Sequence, residues 1–207
     1  MKRFIFDMDG TLVKIDYSPE NEYFYNIFKD DSKKLLDGIG VYIDSYEKAY
    51  NKYDVQKMSR YLSAVTGLEF TKEIIEGWRD LSGTYHTEVE DGVVELLEYL
   101  KSQGHSLTVL TNWFGASQIK RLDQVHLLEY FDKIYTGEDT TKPHAEAYIC
   151  AKDNFSEKDC IVVGDDLYKD YVVPRSLGFN TILYDKKDLQ RQTIVKVKRM
   201  NDIIKMF

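Results

Sequence analysis

From residue 89 onward, short apolar runs alternate with helix-length amphipathic stretches, and this alternation restricts the chain to few architectures. The runs are Ser106–Leu110 (SLTVL), Lys133–Tyr135, 160–163 (CIVV) and 181–184 (TILY). Near the start, Phe4-Ile5-Phe6 is apolar throughout, the pattern of a strand buried on both faces. Between them, residues 93–101 place Val93, Leu96, Leu97 and Leu100 on one helical face, preceded by Asp91 and ended by Ser102-Gln103-Gly104. Helices are also expected at 115–125, 145–154 and 170–177. An edge segment and a closing helix are expected in 192–207. Strands alternating with helices predict an α/β fold with a parallel, Rossmann-like sheet covered on both sides.

Residues 15–87 have a different texture. They carry no convincing strand run, many Tyr, Lys, Glu and Asp residues, and turn signals at Gly38-Ile39-Gly40 and Gly67. We read about four helices here. The stretch is too long for a crossover within the sheet, so it is expected to form a separate all-helical domain. The predicted division is a core of residues 1–14 and 88–207 and an inserted helical domain of residues 15–87.

Bulk properties exclude several classes. The 207 residues are 43% hydrophobic and 30% charged, and 16 Tyr and 10 Phe make disorder untenable. The formal net charge of −7 argues against a nucleic-acid partner, which calls for a basic face. No apolar run approaches a membrane span, and Asp7 interrupts the N-terminus before a signal-peptide core could form. Cys150 and Cys160 lie in apolar settings without CxxC spacing and read as core thiols. The four histidines show no metal-ligand spacing. A cytoplasmic protein without nucleic-acid or membrane partners is expected; its oligomeric state is left open.

The chemistry-bearing residues gather at strand ends. Asp7-Met8-Asp9-Gly10-Thr11 follows the first run, with two carboxylates and a glycine that permits a tight bend. In open parallel sheets, ligands bind beyond the carboxyl ends of the strands. Ser106–Leu110 runs into Thr111-Asn112, and 160–163 runs into Gly164-Asp165-Asp166 and then Asp170. Lys142-Pro143 is read as opening a helix, with Pro143 holding Lys142 extended. Each has a bland alternative: a solvated acidic turn, a turn threonine, a surface lysine, a helix-capping aspartate. Two close carboxylates nevertheless need a cation or a shared proton, and four separate segments supplying carboxylates, a hydroxyl and an ammonium are hard to dismiss together.

In DMDGT at 7–11, TN at 111–112, KP at 142–143 and GDDLYKD at 164–170, the chain resembles the haloacid dehalogenase superfamily, in its branch with a helical cap inserted after the first strand. The stretch EDGVVELLEYLKSQGHSLTVLTN at 90–112 is similar to that family's approach to its second motif, so the resemblance covers essentially the whole core. It implies a phosphatase acting on a small phosphorylated metabolite, with Asp7 as nucleophile and Asp9 as acid and base. It implies Mg²⁺ held by the carboxylates of Asp7 and Asp165 and the main-chain carbonyl of Asp9. Thr111 and Lys142 would bind the phosphoryl oxygens, with Asn112 beside them on the substrate side. One of Asp166 and Asp170 would hold a metal-bound water, Asp170 alternatively orienting Lys142.

Within that superfamily Asp9 separates the reaction types. Relatives that break carbon–halogen or carbon–phosphorus bonds lack this acid, so its presence favours phosphate esters. A phosphomutase uses the same aspartate pair and stands as the alternative. Signalling receiver domains, which are phospho-acceptors rather than enzymes, also combine aspartates, a threonine and a lysine, but they are shorter and lack the cap-length insertion. A binding protein that lost the chemistry would show a broken motif, and none is visible. Substrate identity is expected to reside in residues 14–18 and the helical segment. Tyr17, Tyr23, Tyr46, Trp78, Arg79, Trp113 and Phe114 receive no role, because such residues usually pack or face water.

Overall fold

All four residues of β1 (Arg3–Phe6) are buried, and they form the centre of the sheet. The computed structural model describes residues 1–190 and 194–207. After β1 the chain forms β2 (Val13–Ile15), then α1 (Pro19–Phe28), α2 (Asp31–Ala49), α3 (Val55–Thr66) and α4 (Lys72–Ser82), then β3 (Thr87–Val89). The alternating half follows: α5 (Val93–Ser102), β4 (Ser106–Leu110), α6 (Gly115–Gln124), β5 (Lys133–Tyr135), α7 (Ala145–Lys152) and β6 (Cys160–Gly164). A π-helical turn, Leu167–Val172, leads into α8 (Val173–Ser176), β7 (Asn180–Tyr184), β8 (Lys196–Val197) and a 3-10 helix, Met200–Met206. Of the segment expected in 192–207, residues 192 and 193 lie outside the described residues; the rest supplies β8 and the closing 3-10 helix.

Six strands form one sheet in the order β5-β4-β1-β6-β7-β8, all pairs parallel. The period of two divides β1 between two cores. Phe4 and Phe6 join Leu107, Val109, Ile161 and Val163 under α5 and the closing helix. Ile5 points the other way, onto Val162, Leu110 and the α7 residues Ala147, Tyr148 and Ala151. Burying each such side chain contributes roughly 1.5–3 kcal/mol. Arg3 is buried as well, held by Thr108 Oγ1 at 2.9 Å and Asp153 at 3.3 Å.

The helices α1 to α4 enclose a third cluster, built around Phe24, Leu35, Tyr46, Met58, Leu62, Ile75 and Trp78. Asp54 and Thr71 cap α3 and α4 by accepting the N–H groups of Lys57 and Ile74, and Gly67 ends α3 in the left-handed region. Gly38-Ile39-Gly40 is not the expected turn: α2 runs through it without a break. Gly38 leaves room for the Tyr42 ring one turn later, where a Cβ would come within 2.8 Å of it. The antiparallel pair β2–β3, also unexpected, joins Val13 to Val89 and Lys14 to Glu88, and sets the two chain crossings of the inserted helices side by side. The expected helix over 170–177 starts earlier, as the π-helical turn, because Asp166 accepts the N–H groups of Tyr168 and Lys169. The expected helix opening at Lys142-Pro143 is also corrected: that cis peptide lies in a turn, and α7 begins at Ala145.

Candidate active site

The rim residues sit on backbone that still belongs to the sheet. Asp7, one residue past β1, donates its N–H to Val163 O at 2.9 Å, and Thr111, one past β4, donates to Tyr135 O at 3.0 Å. Beyond Asp7, Gly10 takes φ of 84°, and a Cβ there would lie 2.6 Å from Asp165 Oδ2. Glycine is therefore required twice, for the backbone and for the approach of Asp165. Gly164 is required by space alone, since its Cβ would lie 2.3 Å from Asp170 Cγ.

Lys142 Nζ is the hub. It donates to Asp7 Oδ1 at 2.7 Å and to Asp170 Oδ1 at 2.6 Å, and the side chains of Lys142 and Asp170 are 3% and 1% exposed. Its backbone is clamped by Asn112, whose Oδ1 accepts the Lys142 N–H at 2.8 Å while Nδ2 donates to the Lys142 carbonyl at 2.9 Å. Asn112 thus places the lysine. Thr11 Oγ1 bridges Asp165 Oδ1 at 3.1 Å and Asp7 Oδ2 at 3.5 Å. Asp166 caps the following turn, and its own N–H donates to Asp170 Oδ2 at 3.1 Å.

These carboxylates are crowded. Solvent reaches Asp165, yet the protein atoms around it push its carboxyl up to about 7, with Asp7 the second cause. Burial also pushes Asp170 up to about 7, against the opposing pull of Lys142. Burial alone would lower Lys142, but Asp170 and Asp7 outweigh it and hold the ammonium well above the usual lysine range. Among the described residues, oxygens of Asp7, Asp165 and Asp170 gather within 4.8 Å of one another. An all-oxygen donor set with surplus negative charge suits a hard cation such as Mg²⁺. Asp7 and Asp165 fit that purpose best, because Asp170 is already engaged by Lys142 and the Asp166 N–H.

Asp9 faces the other way. Its Oδ2 accepts from Arg121 Nη2 at 2.9 Å and from Gln118 Nε2 at 3.2 Å, while its buried Oδ1 has no protein partner. Gln118 also donates to Thr111 Oγ1 at 2.7 Å and to the Asn112 carbonyl at 2.9 Å, and Arg121 Nη2 bonds Gln118 Oε1. These two α6 residues tie the Asp9 loop to the end of β4. Sequence reasoning missed them, since SQIKRLD reads as a solvated face; only their one-turn spacing after Thr111-Asn112 could have hinted at an inward stripe.

Above the rim lies a cavity of about 800 Å³. Its far walls include Tyr17, Glu20, Tyr53, Trp78 and Lys169, with Trp113 between the two sides. Trp113 adopts φ of 82°, a region that costs a bulky residue about 1–3 kcal/mol. Its indole N–H donates to Ser82 Oγ at 2.7 Å, and its ring meets Trp78 at 4.6 Å between centroids. Of the residues left without a role in the sequence, Tyr17, Trp78 and Trp113 reach this cavity. His144 instead meets the Glu47 carbonyl at 2.8 Å.

Residues 4–184 match the haloacid dehalogenase-like hydrolase family. The chain is 23% identical to the pyrimidine 5'-nucleotidase PynA of Streptococcus pneumoniae, with 93% of this chain and 87% of that protein aligned. It is 25% identical to the pyrophosphatase PpaX of Bacillus cereus, over 86% of this chain and 80% of that one. In fold it is similar to the HAD-hydrolase YfnB from Bacillus subtilis, whose structure is bound to magnesium: the TM-score is 0.72 at 20% identity, covering 99% of this chain and 97% of that one. No helix among the described residues is long and apolar enough to cross a membrane.

Proposed function

The chain belongs to the haloacid dehalogenase-like hydrolase family, and from that premise we propose that it is a Mg²⁺-dependent phosphatase of small phosphorylated metabolites, working through an aspartyl-phosphate on Asp7. The observation that carries the reading is Lys142, buried and bonded to both Asp7 and Asp170 at the sheet rim. A fixed ammonium beside a nucleophilic carboxylate is what in-line attack on a dianionic phosphoryl group demands. Relatives named as phosphatases agree with a phosphoric monoester hydrolase.

An Asp7 oxygen attacks phosphorus, and the bond to the leaving oxygen breaks as Asp9 hands that oxygen a proton. Water then attacks the phosphorus, Asp9 takes the water proton, and the bond between phosphorus and Asp7 breaks to release phosphate. Arg121 and Gln118 hold Asp9 Oδ2 and so fix the orientation of the Asp9 carboxyl. Lys142 and Thr111 compensate charge on the phosphoryl oxygens, and Asn112 keeps Lys142 in place rather than contacting substrate. Asp170 orients Lys142, and Asp166 fixes the turn beneath. Asp7, Asp165 and the Asp9 main-chain carbonyl would hold Mg²⁺, which supplies positive charge to the phosphoryl oxygens. In the same proposal residues 15–87 form a cap over a core of residues 1–14 and 88–207, and the protein is cytoplasmic.

The test is phosphate release from a panel of phosphate esters with Mg²⁺ and with excess chelator. Turnover should vanish on chelation and return with Mg²⁺. Asp9→Asn should slow esters with poor leaving groups far more than activated aryl phosphates, because only the former need protonation. Full activity in chelator, or equal losses on both ester types, would remove the corresponding part of the mechanism.

A further inference from the structure

The cavity walls carry information beyond the reaction type. Among the described residues that line it, the cations are Arg121, Lys142 and Lys169. Each is already matched by carboxylates. Lys142 holds Asp7 and Asp170, Arg121 holds Asp9, and Lys169 lies 2.6 Å from Glu47 and 3.2 Å from Asp44. Nε and Nη1 of Arg121 are buried without a hydrogen-bond partner, while its charge is matched by Asp9. On the far side Glu20, Asp44 and Glu47 therefore outnumber the single Lys169. A second phosphate or carboxylate on the leaving group would enter a region where every lining cation is already matched by a carboxylate and negative charge is in excess.

The remaining walls are flat and apolar. Trp78 and Tyr85 both turn their polar ends onto one oxygen of Glu20, at 2.8 and 2.6 Å, and their buried rings back Trp113 and Tyr17, the rings that meet the cavity. Tyr53 does the same through Glu47 at 2.6 Å. Trp113 is held against them at a backbone angle that glycine would take without cost, so its indole is fixed before a ligand arrives. Such a box covers a planar ring by stacking. A space of about 800 Å³ is far larger than a two-carbon or inorganic phosphate would fill. Only one Glu20 oxygen is engaged by the protein, and the other stands ready for an O–H or N–H of the ligand.

We infer that the preferred substrate is a monophosphate ester of an uncharged, nucleoside-sized alcohol bearing a flat aromatic or heteroaromatic ring, with no second anionic group. The inference rests on the phosphatase reading of the site and adds the leaving-group class. Its test is kcat/KM with Mg²⁺ for nucleoside 5'-monophosphates against pyrophosphate, phosphoglycolate, a sugar bisphosphate, glycerol phosphate and choline phosphate, with p-nitrophenyl phosphate as a general phosphatase probe. Nucleoside monophosphates should lead every doubly anionic substrate by at least about tenfold, a margin of roughly 1.4 kcal/mol. Trp113→Gly should raise their KM about tenfold, a loss of one stacking surface, and Trp113→Phe should restore most of it. Glu47→Gln, which leaves Lys169 with one carboxylate fewer, should narrow the gap to pyrophosphate. A doubly anionic or a choline ester that matches or outruns the nucleoside monophosphates overturns the inference while leaving the phosphatase reading intact. If p-nitrophenyl phosphate and every ester are inert, the phosphatase reading falls. Calorimetry on the same protein then decides the inference separately: tighter binding of a nucleoside monophosphate than of pyrophosphate sustains it, and the reverse order ends it.

Discussion

The sheet rim and the helical roof handle charge in opposite ways. At the rim, Asp7, Asp165 and Asp170 are pressed together around a single buried lysine, so negative charge is left over for a ligand to satisfy. In the roof, Asp44 and Glu47 are satisfied by Tyr53 and by Lys169, which reaches up from the turn after β6, and Glu20 takes the indole and phenol donors beside it. The rim is stressed and the roof is quiet. In the proposed reading that difference separates chemistry from selection: the stressed rim receives the phosphoryl group and its cation, and the settled walls reject what they cannot pair.

Six substitutions probe the contrast, beginning with the strongest. Asp7→Asn should lower kcat by about 10⁴-fold or more, while the asparagine oxygen can still accept from Lys142 and keep the fold; a normal turnover number would take Asp7 out of the mechanism. Next, Lys142→Met should destabilise by about 3–5 kcal/mol, because it strands buried carboxylates. Lys169→Met should cost less, about 1–2 kcal/mol, since Lys169 and Asp44 are partly in solvent and the buried Glu47 keeps its bond from Tyr53. Equal shifts in urea midpoint would erase the distinction between rim and roof. Glycines give a contrast of sign. Gly164→Ala drives a methyl into Asp170 and should cost about 1–3 kcal/mol together with activity. Gly40→Ala, inside α2 with nothing within 4 Å of the new Cβ, should stabilise by about 0.5–1 kcal/mol. The smallest effect concerns Glu20, whose carboxyl is raised chiefly by burial, against the donors Tyr85 and Trp78. The folded state then holds its proton more tightly than the unfolded one, so stability falls as pH climbs from the ordinary glutamate value, about 4.3, through the raised value. Glu20→Gln should remove that slope, and its urea midpoint should gain on the wild type as pH rises above the ordinary glutamate value. Parallel curves would show that Glu20 carries no such strain.

The rim was legible in the sequence because each of its residues follows a strand-length apolar run, and parallel strands all end at the same edge. Asp7, Thr111 and Asp165 could be placed that way; Lys142 could not, because the helix expected to open at Lys142-Pro143 is a turn. The number of helices in the inserted segment was legible from its texture. What was not legible has physical reasons. Gly38 and Gly40 look like punctuation, but tertiary packing of α2 overrides the weak local preference, with Tyr42 filling the space. The β2–β3 pair is too short and too polar, at Lys14 and Glu88, to show a period. Arg121 and Gln118 are polar residues buried by a partner over a hundred positions away, Asp9, and no local pattern encodes such a partner.

The loop that bears Lys142 is stitched in two directions. Asn112 fastens it to the sheet, while Thr141 donates its N–H to Asn51 O and its hydroxyl to Tyr50 O, both at 2.9 Å, and Tyr53 donates to Gly137 O at 2.7 Å. The cap is therefore not a lid resting freely on the core but one side of a seam whose thread passes beside the ammonium. The position of residues 50–53 and that of the lysine are therefore tied together by the same few hydrogen bonds.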